Sequence, residues 1–122
     1  MTFDAQITFL FAADLGRADH FYGTVLGLPL TLDQGSCRIY RASGAGFIGV
    51  CERPDAVSPD GIIVTLVTGE VDRWHERLTE AGVPCERPPS ANEEYRVYHA
   101  FYRDPDGYLV EIQEFTDPRW DG

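Results

Sequence analysis

FYRDPDGYLVEIQEF, residues 101–115, reads as two short β-strands folded back on each other around Asp104-Pro105-Asp106-Gly107. Pro105 presets the backbone angle of a turn's second position, Asp104 can accept hydrogen bonds from the backbone that follows it, and Gly107 tolerates the positive φ that closes a type I turn into a hairpin. Past the turn, the two-residue period of a strand puts Leu109, Glu111 and Gln113 on one face and Val110, Ile112 and Glu114 on the other. A carboxylate among Leu, Val and Ile is costly to bury unless it is paired, ligated or wetted by a cavity. On this strand alone, a solvent-facing side is the simplest account of Glu111; the remainder of the chain argues for a pocket.

Outward from the hairpin, Val97 to Arg103 is the partner strand. Pro88-Pro89-Ser90-Ala91-Asn92-Glu93-Glu94 is a polar insert expected to form a mobile loop, and Val83 to Arg87 a short extended segment. Val71, Trp74, Leu78 and Ala81 mark an amphipathic helix ending at Gly82, and Ile62 to Val67 is an apolar strand. The first half has the same order. Ile7 to Ala12 is a strand apolar on both faces, expected in a sheet interior. Asp14 offers an N-cap, and Ala18, Phe21, Tyr22, Val25 and Leu26 recur at helical spacing up to Gly27. Leu30 to Asp33, Cys37 to Ala42 and Phe47 to Glu52 are short strands separated by turn-forming sets.

Placing Ile7 on Ile63 superposes the first strands, the helix starts at Asp14 and Glu70, and the terminal glycines to within one residue. The implied fold is α+β: two βαβββ modules in a single domain over residues 1–122, with module one about 1–53, a Pro- and Gly-containing linker over 54–61 and module two about 62–117. In each module a helix covers one face of a mostly antiparallel sheet; pairing two such modules would curve the uncovered faces around a shared groove, with the helices outside.

Twenty acidic against ten basic residues give a formal net charge of -10, a field that repels nucleic acid and anionic bilayers and admits cations. The N-terminus has no basic region or cleavage-site pattern, and nothing approaches a membrane span in length. Cys37, Cys51 and Cys85 are an odd, scattered set without a CxxC pair, which indicates neither a disulfide framework nor a thiolate zinc site; Cys51 reads as a buried, inert thiol. These features fit a cytoplasmic protein. His20 and His75 fall on the helices as surface or packing residues, Trp74 as core, and Trp120 in the tail, exposed or docked on a second subunit.

DLGRADHFYGTVLGLPL (residues 14–30) and the 101–115 segment resemble the two signature segments of the vicinal oxygen chelate superfamily, which includes glyoxalase I, fosfomycin resistance proteins, extradiol dioxygenases and bleomycin resistance proteins. In that family's metal enzymes, ligands lie at the start of the first strand and on the last strand of each module. The resemblance implies Glu111 at the last-strand position of module two. At the first-strand positions, however, stand Ile7 and Ile63, and Ile48-Gly49-Val50 occupies the remaining one; none is a donor. Gln6 and Glu52 are the nearest substitutes, and a one-residue slip turns a side chain to the wrong face. No metal cofactor is therefore expected; the alternative is a single divalent ion at Glu111.

The resemblance further implies that Val97, His99 and Phe101 line the groove with Leu109, Glu111 and Gln113, over a floor that includes Ile7, Phe9, Phe11, Ile63, Thr65 and Val67. The expected ligand-binding set is Ile7, Phe9, Ile63, Thr65, His99, Phe101, Glu111 and Gln113, mainly apolar with a few polar groups. The first reading is a metal-independent binder of a small, partly hydrophobic molecule, cations included, similar to the antibiotic-binding members. The alternative is a lyase, isomerase or dioxygenase, with Glu111 as metal ligand or with His99 and Glu111 as catalytic acid and base. A lone histidine in a strand is more often a hydrogen-bonded groove histidine without a catalytic role, and His99 reads that way too. Family members often build grooves across a two-fold axis, so a homodimer is expected.

Overall fold

The computed structural model describes residues 1–122, which divide into two compact units, Met1–Ser58 and Pro59–Gly122. The first contains strands β1 (Gln6–Ala12), β2 (Leu30–Asp33), β3 (Cys37–Ser43) and β4 (Gly46–Glu52), with helix α1 (Leu15–Asp19) after β1. The sheet order is β1-β4-β3-β2, with β1 parallel to β4 and the other pairs antiparallel.

The helix forms where the sequence provides its cap. The Asp14 carboxylate accepts from Arg17 N at 3.0 Å, satisfying one of the free donors of the first turn. α1 runs directly into a π-helical segment, His20–Val25, in which Leu26 N donates to Phe21 O, and Gly27 leaves the helix at φ 71. The expected helix is thus present, its second half wound more loosely than an α-helix. Leu15, Ala18, Phe21, Tyr22 and Val25 are buried, as are Leu10, Tyr40, Ile48 and Val50 of the sheet. Tyr40 Oη donates to Asp19 at 2.5 Å, and Glu52 accepts from Leu15 N at 3.0 Å, joining helix to sheet. Burial and the adjacent Asp19 carboxylate hold the Tyr40 phenol well above its ordinary pKa.

β1 differs from expectation. It is an edge strand of its sheet, paired with β4 alone, and its helix-side residues Leu10 and Ala12 are buried while Ile7 is 40% and Phe9 48% exposed. Apolar composition on both faces did not mark an interior strand, because the helix covers one face only.

The second unit repeats the connectivity with β5 (Ile63–Val67), α2 (Val71–Glu80), β6 (Cys85–Asn92), β7 (Val97–Arg103) and β8 (Leu109–Phe115) in sheet order β5-β8-β7-β6, β5 parallel to β8. Two four-stranded mixed sheets with few helices make the fold α+β. The β7–β8 turn is built as its residues require: Asp104 Oδ1 accepts from Asp106 N and Tyr108 N, both at 2.9 Å, and Gly107 takes φ 91. On the helix side, Tyr98 Oη donates to Asp72 at 2.6 Å, and Tyr102 Oη lies 2.7 Å from His75 Nδ1. Trp74 is half-buried with Arg77 over its ring, and Trp120 stacks on Phe115 with ring centroids 4.1 Å apart.

Two further expectations are corrected. Residues 88–92 are not a loop: β6 runs through Pro88-Pro89, with register shifts on either side of Arg87. An edge strand accommodates one proline with its missing N–H on the open side, where it breaks no ladder, and the neighbouring one falls in the register shift between Arg87 and Ser90. The cysteines are not three isolated thiols either. Cys37 and Cys51 form a disulfide, since the β3–β4 register sets them directly opposite, while Cys85 is free and exposed.

Candidate functional site

The site follows from the register of the second sheet. Thr65 lies opposite Glu111 in the β5–β8 pair, Phe101 opposite Glu111 in the β7–β8 pair, and His99 opposite Gln113. Residues directly opposite share a face, so Thr65, His99, Phe101, Glu111 and Gln113 stand on the face turned away from α2, with Ile63 beside Leu109 at one end.

Glu111 is buried with both oxygens engaged. Thr65 Oγ1 donates to Oε1 at 2.8 Å, and His99 Nδ1 lies 2.5 Å from Oε2. The His99 and Glu111 side chains are 8% and 10% exposed. The imidazole meets the Phe101 ring edge-on at a centroid distance of 4.7 Å, and the Arg87 guanidinium stands 5.9 Å over that ring. A carboxylate is acceptor-only, so Nδ1 is the donor to Glu111; in a neutral ring this leaves Nε2 as the nitrogen with a free lone pair. Glu111 thereby orients His99, and Thr65 orients Glu111.

The equivalent positions of the first sheet carry none of these groups. Phe9 and Gly49 occupy the places of Thr65 and Glu111, because Ile7 pairs with Phe47 as Ile63 pairs with Leu109. The Phe9 ring lies over Gly49, so closely that a Cβ added there would fall 2.4 Å from ring atoms. Cys37 and Cys51 stand where the second sheet has His99 and Gln113. Of the expected ligand-binding set, the structure therefore brings Thr65, His99, Phe101 and Glu111 into direct contact, puts Ile63 and Gln113 on the same face, and holds Ile7 and Phe9 in the other compact unit beside Phe47 and Gly49.

A divalent cation takes several side-chain donors at once. No group of three or more His, Cys, Asp and Glu side chains is arranged to hold one. Each Glu111 oxygen has one hydrogen-bond partner within the sheet. Of the substitutes considered, Gln6 Nε2 bonds Thr8 Oγ1 at 2.6 Å, and Glu52 is held on the backbone of α1. Sequence reasoning missed Gly49 as the partner of Phe9 and Thr65 as the partner of Glu111. A glycine inside an apolar strand was the available signal for the first, since it marks close approach of another group.

Comparison with known proteins agrees with this architecture. The family model described as Glyoxalase/Bleomycin resistance protein/Dioxygenase superfamily matches residues 5–112. An uncharacterized protein of Bacillus subtilis (strain 168), YraH, is 27% identical over 117 residues, covering 84% of this chain and 91% of that protein. The crystal structure of a lactoylglutathione lyase from Agrobacterium tumefaciens is 25% identical with a TM-score of 0.76, covering 94% of this chain and 96% of the other. A glyoxalase/bleomycin resistance protein/dioxygenase structure from Alicyclobacillus acidocaldarius superposes with a TM-score of 0.78 at 20% identity, covering 95% and 94% of the two chains, a likeness of fold.

Proposed function

The chain belongs to the Glyoxalase/Bleomycin resistance protein/Dioxygenase superfamily, and from that premise we propose that it binds a small, partly hydrophobic molecule without a metal on the β5–β8–β7 face. The observation that carries this reading is the engagement of Glu111: one oxygen accepts from Thr65 and the other lies on His99, so an ion would have to share or displace both bonds. Half-exposed Ile63 and Val67 and the ring of Phe101 supply apolar surface, and His99 Nε2 supplies the polar contact. The net charge of -10 keeps cationic ligands within the class. The working setting is a cytoplasmic homodimer.

Equilibrium dialysis against neutral and cationic aromatic compounds and a metabolite extract tests it. Saturable retention, unchanged by a chelator and weakened at least tenfold by Phe101→Ala or His99→Ala, is the expected result. Failure to retain any compound would remove this reading.

One observation favours a second reading. An imidazole oriented through Nδ1 by a buried carboxylate is the arrangement of a general base, acting here through Nε2 on a proton next to a carbonyl, as in a lyase or isomerase. In that reaction class His99 would take the proton, and Glu111 would stabilise the imidazolium it becomes. The name of the Agrobacterium protein makes lactoylglutathione formation and cleavage the first assay to run. Turnover abolished by His99→Ala and lowered by Glu111→Gln would favour it; turnover unaffected by both would exclude it.

A further inference from the structure

We infer that Cys37 and Cys51 form a reversible redox site on the open face of the first sheet, opened and closed by exchange with small thiols and disulfides while the fold is kept. The two residues are direct partners in the antiparallel β3–β4 pair, their Cα atoms 4.0 Å apart, so both thiols leave the sheet on the same side. Arg38–Val50, Ile39–Gly49, Tyr40–Ile48 and Arg41–Phe47 pair in the same ladder, and the chain between the cysteines is therefore already closed as a hairpin. A disulfide stabilises chiefly by closing a loop in the unfolded chain, and with a separation of 14 residues that contribution is smaller than a bridge spanning the whole module would give. The reduced protein keeps every ladder contact, which is what a switchable bond needs and a structural staple lacks.

Access and electrostatics point the same way. Both cysteines are partly exposed, and they stand on the side of the sheet that α1 does not cover. Phe11 is the β1 partner of Cys51, and the Arg53 guanidinium stands 5.1 Å over the Phe11 ring, placing a positive charge beside the strand position of Cys51. A nearby cation favours the thiolate that attacks and leaves in exchange. Cys85 has the opposite character: desolvation pushes its thiol pKa up, and it lies on β6 in the other unit. In a reducing compartment, a pair of this kind is closed only transiently.

The step balances with glutathione disulfide as oxidant. One cysteine thiolate attacks it, releasing glutathione and leaving a mixed disulfide; the second cysteine displaces the other glutathione. Two protein thiols are oxidised, one disulfide is reduced to two thiols, and the two protein protons end on the two glutathiones. Excess reduced glutathione runs the sequence backward.

The test is maleimide labelling of the whole protein, quenched and counted by intact mass, after equilibration in glutathione buffers of graded ratio, with circular dichroism on the same samples. One label in the oxidised buffers, rising to three in the reduced ones and returning to one, with an unchanged spectrum, is the expected result; Cys85→Ser should give none rising to two. Three labels in every buffer would overturn the inference, as would one label persisting in excess reduced glutathione, which would make the bond a fixed staple. Loss of the folded spectrum on reduction would overturn it too. Should Cys37→Ser or Cys51→Ser fail to fold, Cys85→Ser still carries the count.

Discussion

The two sheets share a register and differ by face. On the helix side they match: superposing Ile7 on Ile63 carries Asp19 onto His75, the β3–β4 and β7–β8 registers carry Tyr40 onto Tyr102, and in each unit the helix residue hydrogen-bonds the tyrosine. Both tyrosines are fully buried. On the open side they part completely, with Phe9 packed over Gly49 in one and Thr65 bonded to Glu111 in the other. The helix-side contacts join helix to sheet in each module, through a carboxylate in one and an imidazole in the other. The open faces differ in kind: a hydrogen-bonded polar cluster stands on one, and a ring packed over glycine beside a disulfide on the other.

The largest effect should come from removing the centre of the polar face. Glu111→Leu leaves His99 without its buried partner and should cost about 3 kcal/mol in urea unfolding, whereas Glu111→Gln, which can still accept from Thr65, should cost less than about 1 kcal/mol. Equal costs would mean that the carboxylate does not organise this face.

Gly49→Ala breaks the apolar counterpart. The added methyl overlaps the Phe9 ring, but that ring is half-exposed and can swing aside, so the expected cost is about 1.5 kcal/mol. Phe9→Ala in the same chain should recover most of it, a coupling that a double-mutant cycle reads directly. Additive losses would show that Gly49 is required for its backbone rather than for the close approach.

Next come the matched tyrosines. Tyr40→Phe and Tyr102→Phe should each cost about 1 kcal/mol, the same within error if the two helix-side braces are equivalent. The smallest effect is their titration. Burial holds both phenols protonated above the ordinary value of 10.0. The unfolded chain therefore loses these protons first, and the stability they contribute, fully present below pH 10, is lost as the pH rises beyond it. Absorbance at 295 nm against pH, set beside denaturation midpoints, checks the sign; normal titration of both would contradict the shared brace.

What the sequence made legible was local or periodic. The 104–107 turn, the capping Asp14, the terminal Gly27 and Gly82 and the superposition of Ile7 on Ile63 are each signalled within a few residues, and together they specify both modules. The alternation that sets Glu111, His99 and Thr65 on one face is likewise a property of short segments. Their mutual bonding is not: it depends on β5, β7 and β8 being aligned to the residue, which no single strand encodes. The same reason hid the pairing of Cys37 with Cys51 and of Phe9 with Gly49. Pro88-Pro89 misled in another way, because the turn-forming habit of proline is indistinguishable in sequence from its tolerance on a strand with one open side.

That open side of β6 has a consequence for association. An unpaired strand edge is a template on which a second polypeptide can add by backbone hydrogen bonding, the route to strand exchange and fibrils. Pro88 and Pro89 in succession remove an amide donor whichever of the two faces the open border, and the register shifts around Arg87 interrupt the regular spacing of those that remain. An incoming strand would find no continuous ladder to extend, so the module is guarded against polymerisation along this border by the residues that looked least suited to a sheet.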